Sequence, residues 1–167
     1  GLPEVTLGII PGAGGTQRMP RLIGVEKTLE MVLGAVPVDT KSALAFGFLD
    51  RVIDSELRVG TIAFAQELVA AGKGPRRTSD KRVDPATATD EIIARFTAQA
   101  KKQYRNRNAP LAAIDAIRGS LGRTLDEGLA FENQLANIAK ATTESRALVH
   151  VFFAERETRK VADLPAG

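Results

Sequence analysis

The sequence has no cysteine, no tryptophan, one tyrosine and one histidine among its 167 residues. Without cysteine the chain can form neither a disulfide framework nor a thiolate metal site, which fits a reducing compartment. No run approaches the roughly 20 apolar residues of a membrane span, and no signal peptide is visible. We therefore expect a protein of the cytoplasm or of a peroxisome-like reducing compartment, not secreted and without a membrane span.

The single histidine, His150, excludes a histidine-based metal cluster and argues against a serine-histidine triad. A lone histidine in a helical pattern is most often a partly buried packing residue, and we predict that role for it. We predict no bound metal and no resident cofactor for this chain.

Hydrophobic residues make up 44% of the chain and charged residues 26%, with a net charge of +3. These values are typical of a globular protein with a substantial core, and the weak positive charge is compatible with an anionic ligand. Basic residues and Tyr104 do cluster at 101–107, as in some nucleic-acid patches. Cations are also favoured at the end of a helix, however, so we predict no nucleic-acid partner.

Glu4 is the only charged residue in the otherwise apolar run 2–11, and glycines follow it at positions 8, 12, 14 and 15. A carboxylate among apolar groups loses solvation when it ionises, which suits a general acid or base near neutral pH. The glycines allow close approach of the backbone to a ligand, but they match neither a dinucleotide fingerprint nor a phosphate loop. On pattern alone, an exposed edge glutamate beside a plain turn is the simpler alternative.

Three stretches carry a family resemblance. Residues 2–18 read LPEVTLGIIPGAGGTQR, residues 43–52 read ALAFGFLDRV, and residues 145–156 read SRALVHVFFAER. The first two resemble the second active-site segment of the enoyl-CoA hydratase/isomerase (crotonase) superfamily and the block that follows it. The third is similar to the subgroup of multifunctional β-oxidation proteins, in which a hydratase region precedes a 3-hydroxyacyl-CoA dehydrogenase.

The resemblance implies a site and a substrate. Glu4 matches the second catalytic glutamate, which exchanges a proton at C2 of a trans-2-enoyl-CoA thioester, and the backbone N–H of Gly12 helps to hold the water. Pro3, Leu7 and Pro11 are implied to contact the substrate. NAD would bind only to a dehydrogenase part outside this chain.

The resemblance also implies a fold. We expect a mainly α chain: the C-terminal part of a crotonase-like ββα spiral, with one or two short strands followed by helices. The expected parts are residues 1–75 from the crotonase-like domain, a linker loop at 76–88, a helical region at 89–160 and a tail at 161–167. The upstream half, with the oxyanion loop and the first glutamate, would be missing through cleavage, design or disorder. The truncated spiral would expose apolar surface, so we expect it to associate with that half or with itself.

Local patterns predict several elements. Residues 2–10 are rich in β-branched side chains and predict an extended segment. Thr16 is the expected N-cap of a short helix interrupted by Pro20, and Ser55 that of a helix over 57–71. Thr124 and Glu127 have the spacing of a capping box.

Two alternatives to hydration remain. The first is another reaction of the same superfamily, such as Δ3,Δ2-enoyl-CoA isomerisation or thioester hydrolysis, which the upstream partner residue would decide. The second is a helical interaction or assembly module without chemistry of its own. As part of a hydratase, the fragment alone is expected to be inactive, because the oxyanion loop and the first glutamate would be missing.

Overall fold

The computed structural model describes residues 1–158, and all structural statements below concern this part of the chain. It is mainly helical, as expected. The α-helices are α1 (Gly15–Ile23), α2 (Val25–Gly34), α3 (Thr40–Ala45), α4 (Leu57–Ala70), α5 (Asp90–Gln103), α6 (Ala109–Arg118), α7 (Leu125–Lys140) and α8 (Thr143–Thr158). Short 3-10 helices occupy Pro3–Leu7, Thr78–Asp80 and Pro85–Ala88. The predicted tail at 161–167 lies outside the described residues.

The prediction of one or two strands is not met, because residues 1–158 contain no strand. Residues 2–10, predicted to be extended, instead form the 3-10 helix Pro3–Leu7. Pro3 has a fixed φ that suits a first helical turn, and the Thr6 hydroxyl donates to the Pro3 carbonyl at 2.7 Å. Gly8, with φ at 69°, ends the turn in the left-handed region. Local bonds therefore overrule the β propensity, which needs a partner strand to take effect.

Helix α1 starts differently from the prediction. Its N-cap is Gly14, with φ at 93°, rather than Thr16, and the helix continues through Pro20 to Ile23. Glycine offers no side chain to the free N–H groups of the first turn, so another part of the molecule must satisfy them.

The hydrophobic core takes side chains from both ends of the described chain. Val5 and Ile10 pack with residues from α2, α5, α6 and α7; the fully buried members include Val5, Val25, Leu29, Val32, Leu33, Ala113, Ala116 and Ile117. The N-terminal 3-10 helix contacts α2, α6 and α8, and α1 contacts α2, α6 and α7. Segments far apart in sequence thus share one core. The domain boundaries predicted above stay a prediction.

The segment 76–88 is more ordered than a plain solvated loop. It contains two 3-10 helices, and Val83 and Ala88 are buried in the core. The Thr87 hydroxyl accepts a hydrogen bond from the Val25 N–H at 3.1 Å, at the start of α2. The second half of the segment predicted as a linker loop thus supports α2.

Helices α3 and α4 form an arm outside the core. Helix α4 has no buried residue, and Leu57, Val59, Ile62 and Val69 are among its exposed apolar side chains. Its N-cap is Glu56, whose carboxylate accepts from the Arg58 and Val59 N–H groups, rather than the predicted Ser55. An amphipathic helix normally buries its apolar face, so α4 lacks the neighbour that its composition calls for.

The C-terminal helices follow their sequence signals closely. Thr124 and Glu127 form the predicted capping box at the start of α7. The hydrogen bonds from Thr124 lower the pKa of the Glu127 carboxyl, because they favour the ionised form. Thr89 caps α5 through the Ile92 N–H, also as its position suggests. This region is therefore well specified by local sequence.

We predict that Ile117→Ala lowers the free energy of unfolding by about 2–5 kcal/mol, because the side chain is fully buried and its loss leaves a cavity. The matched control is Ile62→Ala on α4, which should change stability by no more than about 0.5 kcal/mol. Urea unfolding followed by circular dichroism measures both. Equal losses in the two variants would contradict the exposed position of α4.

Candidate active site

Glu4 lies in the middle of the first 3-10 helix and is half-buried. Its Oε2 atom is buried and has no hydrogen-bond partner among residues 1–158. Buried polar atoms are nearly always paired, so an unpartnered carboxylate oxygen in a native structure needs an explanation. The side chain does not point freely into solvent, and one of its oxygens is buried without a hydrogen-bond partner among residues 1–158.

The glycine segment, residues 11–15, follows the 3-10 helix and leads into α1. Gly12 is exposed, and no hydrogen bond from its N–H is found within the described residues. A side chain at Gly12 would begin 3.0 Å from the Ala136 Cβ, which is tighter than ordinary contact. The segment therefore lies directly against α7, with the Gly12 N–H free to donate.

Glu132 on α7 is the functional candidate that the sequence reasoning missed. Its carboxylate is 1% exposed and accepts three hydrogen bonds from the start of α1. Oε1 accepts from the Gly14 N–H at 2.6 Å, and Oε2 accepts from the Thr16 N–H at 2.9 Å and the Thr16 hydroxyl at 2.6 Å. Glu132 thus supplies the cap that Gly14 lacks.

A signal for Glu132 was present in the sequence. Gly128, Glu132 and Ala136 stand at i, i+4 and i+8, which places a carboxylate between two small residues on one helical stripe. In the structure this stripe faces α1 and the glycine segment: Gly128 approaches the Gln17 side chain, and Ala136 approaches Gly12. Small residues at both positions leave room for this close approach.

Gln17 and Arg21 extend this polar contact along α1. The Gln17 side-chain amide donates to the Ala116 carbonyl at 2.7 Å and to the Thr16 hydroxyl at 2.9 Å. Arg21 donates to the Gln17 carbonyl at 2.6 Å and to the Arg123 carbonyl at 2.9 Å. Burial, followed by the nearby Arg82 charge, lowers the pKa of the Arg21 guanidinium. Side chains of α1 are therefore fixed by carbonyl groups of the C-terminal region.

The remaining predicted residues are spread around the same segment. Pro3 is exposed, Leu7 is half-buried and Pro11 is buried. An apolar hollow of about 80 Å³ borders Gly8, next to Leu7, and its other walls come from α6, α7 and the start of α8. Binding sites for small molecules usually enclose about 300–1,000 Å³, so this hollow alone is too small for an acyl-CoA.

His150 is exposed on α8, so the prediction of a partly buried packing role is wrong. It lies between Val149, which is half-buried, and Val151, which is exposed. The helix turns this position to solvent, and nothing in the described structure gives the imidazole a role.

A family model described as enoyl-CoA hydratase/isomerase matches residues 1–110. The chain belongs to the enoyl-CoA hydratase/isomerase family. The match covers the 3-10 helix with Glu4 and the glycine segment, but it ends before Glu132. No helix within residues 1–158 is long and apolar enough to cross a membrane.

The chain is also similar over nearly its whole length to several much longer proteins. The chain is 36% identical over 167 residues to a peroxisomal bifunctional enzyme of Danio rerio, covering 100% of this chain and 23% of that protein. It is 37% identical over 165 residues to a peroxisomal fatty acid beta-oxidation multifunctional protein of Arabidopsis thaliana, covering 96% of this chain and 23% of that protein. A fatty acid oxidation complex subunit alpha of Shewanella amazonensis is 35% identical over 167 residues, with 96% and 23% covered. The chain thus spans less than a quarter of the length of these relatives.

We predict that Gly128→Ala destabilises the protein, although alanine is the better helix former by roughly 1 kcal/mol. A Cβ at position 128 would overlap the buried Gln17 amide, which is already bonded to Ala116 and Thr16. The matched control is Gly34→Ala in α2, where the nearest atom lies 3.8 Å from the new Cβ and the effect should be neutral or stabilising. Thermal unfolding measures both; a gain in stability from Gly128→Ala would contradict the close approach.

Proposed function

We propose that this chain is part of an enoyl-CoA hydratase/isomerase acting in fatty-acid β-oxidation. The reaction is the syn addition of water to a trans-2-enoyl-CoA, giving a 3-hydroxyacyl-CoA. The observation that carries the proposal is the buried, unpartnered oxygen of Glu4, in a chain of this family whose glycine segment follows a few residues later. The β-oxidation setting is supported by the names of the relatives that cover the chain.

In the proposed reaction, the water oxygen bonds to C3 of the thioester and a proton is delivered to C2. Glu4 exchanges the proton at C2, and the Gly12 N–H helps to hold the water. Pro3, Leu7 and Pro11 contact the acyl part of the substrate. Negative charge develops on the thioester oxygen as the double bond is polarised, and two backbone N–H groups from outside this chain stabilise it.

The proposal requires a partner for this chain. The hollow at Gly8 is too small for the substrate, and the first glutamate and the oxyanion loop are assigned to an upstream half of the hydratase domain. The exposed apolar residues of the α3–α4 arm support an association of this kind. NAD is assigned to a dehydrogenase part outside the chain, and a peroxisome-like compartment is proposed from the relatives.

Δ3,Δ2-enoyl-CoA isomerisation is the second candidate. It moves one proton between two carbons, which a single carboxylate can do. In support of this candidate, Oε2 of Glu4 has no hydrogen-bond partner among residues 1–158, whereas Glu132 already accepts three hydrogen bonds. The two reactions are separated by assaying the full-length protein with a 2-enoyl-CoA and a 3-enoyl-CoA.

We predict that Glu4→Gln in the full-length protein lowers kcat for hydration of a short trans-2-enoyl-CoA by about 10²–10⁴-fold, because the amide cannot accept and return a proton. Glu30→Gln is the matched control, since Glu30 is exposed and paired with Lys27 at 2.6 Å. Its kcat should equal that of the wild type. Unchanged turnover of the full-length Glu4→Gln variant would instead favour the alternative in which this chain is a helical module without chemistry of its own.

We predict that the purified 167-residue chain alone does not hydrate crotonyl-CoA, because the first glutamate and the oxyanion donors are assigned to the upstream half. The loss of absorbance of the conjugated thioester measures the reaction, with the full-length protein as the positive control. Turnover of the short chain at the full-length rate would show that the site is complete without an upstream half.

A further inference from the structure

The start of α1 needs hydrogen-bond acceptors that its own sequence does not provide. Its N-cap is Gly14, and no side chain of the first turn caps the helix. The carboxylate of Glu132 fills this place from 118 residues away in the sequence. It also puts a carboxylate at the positive end of the helix dipole, which is a favourable position for a negative group.

The contact between α7 and the glycine segment is continuous. On one stripe of α7, Gly128 approaches Gln17, Glu132 holds Gly14 and Thr16, and Ala136 touches the place where Gly12 would carry a side chain. The two small residues let the helix come close enough for the carboxylate to reach backbone N–H groups. The spacing of the stripe thus sets where Gly12 lies.

We propose that Glu132 is a positioning residue for the Gly12 N–H and, through it, for the water in hydration. This inference rests on the proposed function, because it holds that the contact serves the reaction at Glu4 and Gly12. Glu132 itself does not touch the substrate. It fixes Gly14, two residues beyond Gly12, and so limits the directions in which the Gly12 N–H points.

The variant Glu132→Gln keeps the size of the side chain but reduces its capacity to accept hydrogen bonds. Glutamine matches glutamate in size but has one acceptor oxygen and an NH₂ group that only donates. It cannot accept from both Gly14 and Thr16, so one N–H of the segment loses its partner. Misplacement of a reacting group by about 1 Å costs about 10²-fold in rate. We therefore expect Glu132→Gln in the full-length protein to lower kcat for hydration by up to about 10²-fold with little change in KM.

Glu127→Gln is the matched control on the same helix. Glu127 caps α7 through Thr124 and is exposed, so its substitution weakens α7 without touching the glycine segment. If Glu132 only stabilised the fold, both variants would keep the wild-type kcat while folded, as judged by circular dichroism at the assay temperature. A wild-type kcat in folded Glu132→Gln would overturn the proposal.

Substitutions at Thr16 are milder and can test the proposal even if Glu132→Gln folds poorly. Thr16→Val removes the hydroxyl that donates to Glu132, whereas Thr16→Ser keeps it. We expect kcat to fall in Thr16→Val and to recover in Thr16→Ser. In a double-mutant cycle on kcat, Thr16→Val and Glu132→Gln should be less than additive, because both disturb the contact between the Thr16 hydroxyl and Glu132. Equal kcat in Thr16→Val and Thr16→Ser would count against the proposal.

Amide hydrogen exchange separates this inference from the proposed function. A hydrogen bond to a charged group is worth about 1.5–3 kcal/mol, so its loss should speed exchange in residues 11–17 by about tenfold or more. Mass spectrometry of the peptide covering these residues measures it in Glu132→Gln, Glu127→Gln and wild type. If Glu4→Gln keeps full activity, the proposed function fails, and unchanged exchange in Glu132→Gln would separately refute the positioning role.

Discussion

The buried carboxylate of Glu132 is the contact on which the arrangement of this molecule depends. A glycine-rich turn cannot cap the helix that it begins, because it has no side chains to satisfy the first N–H groups. Here a distant helix supplies the acceptors, with three hydrogen bonds in a site that is 1% exposed. Burying a carboxylate costs much free energy unless its oxygens are hydrogen-bonded, as those of Glu132 are. The glycine turn therefore depends on Glu132 to accept the hydrogen bonds of the first N–H groups of α1.

The sequence predicted the capping box of α7. The box at Thr124 depends on a side chain and a backbone only a few residues apart, so short-range pattern is sufficient for it. The family was also evident in residues 2–18, because glycines, prolines and a single acid at fixed spacing are specific.

The errors came from contacts that a local pattern does not contain. Residues 2–10 have the composition of a strand, yet the structure forms a 3-10 helix closed by Gly8. Thr16 has the chemistry of an N-cap, but its hydroxyl donates to Glu132 rather than accepting from the next turn. The role of Glu4 stays a prediction. The contact of Glu132 could not be foreseen, because it depends on the packing of α7 against a segment more than 110 residues earlier.

The hydrogen bond between Glu132 and Gly14 also determines when, during synthesis, the start of α1 can reach its folded geometry. Ribosomes deliver the amino-terminal residues first, so the glycine turn emerges long before the helix that completes it. During that interval the beginning of α1 can be satisfied only by water. The part of the sequence that identifies the family thus acquires its final geometry only after a stretch that lies beyond the matched residues 1–110 has been synthesised.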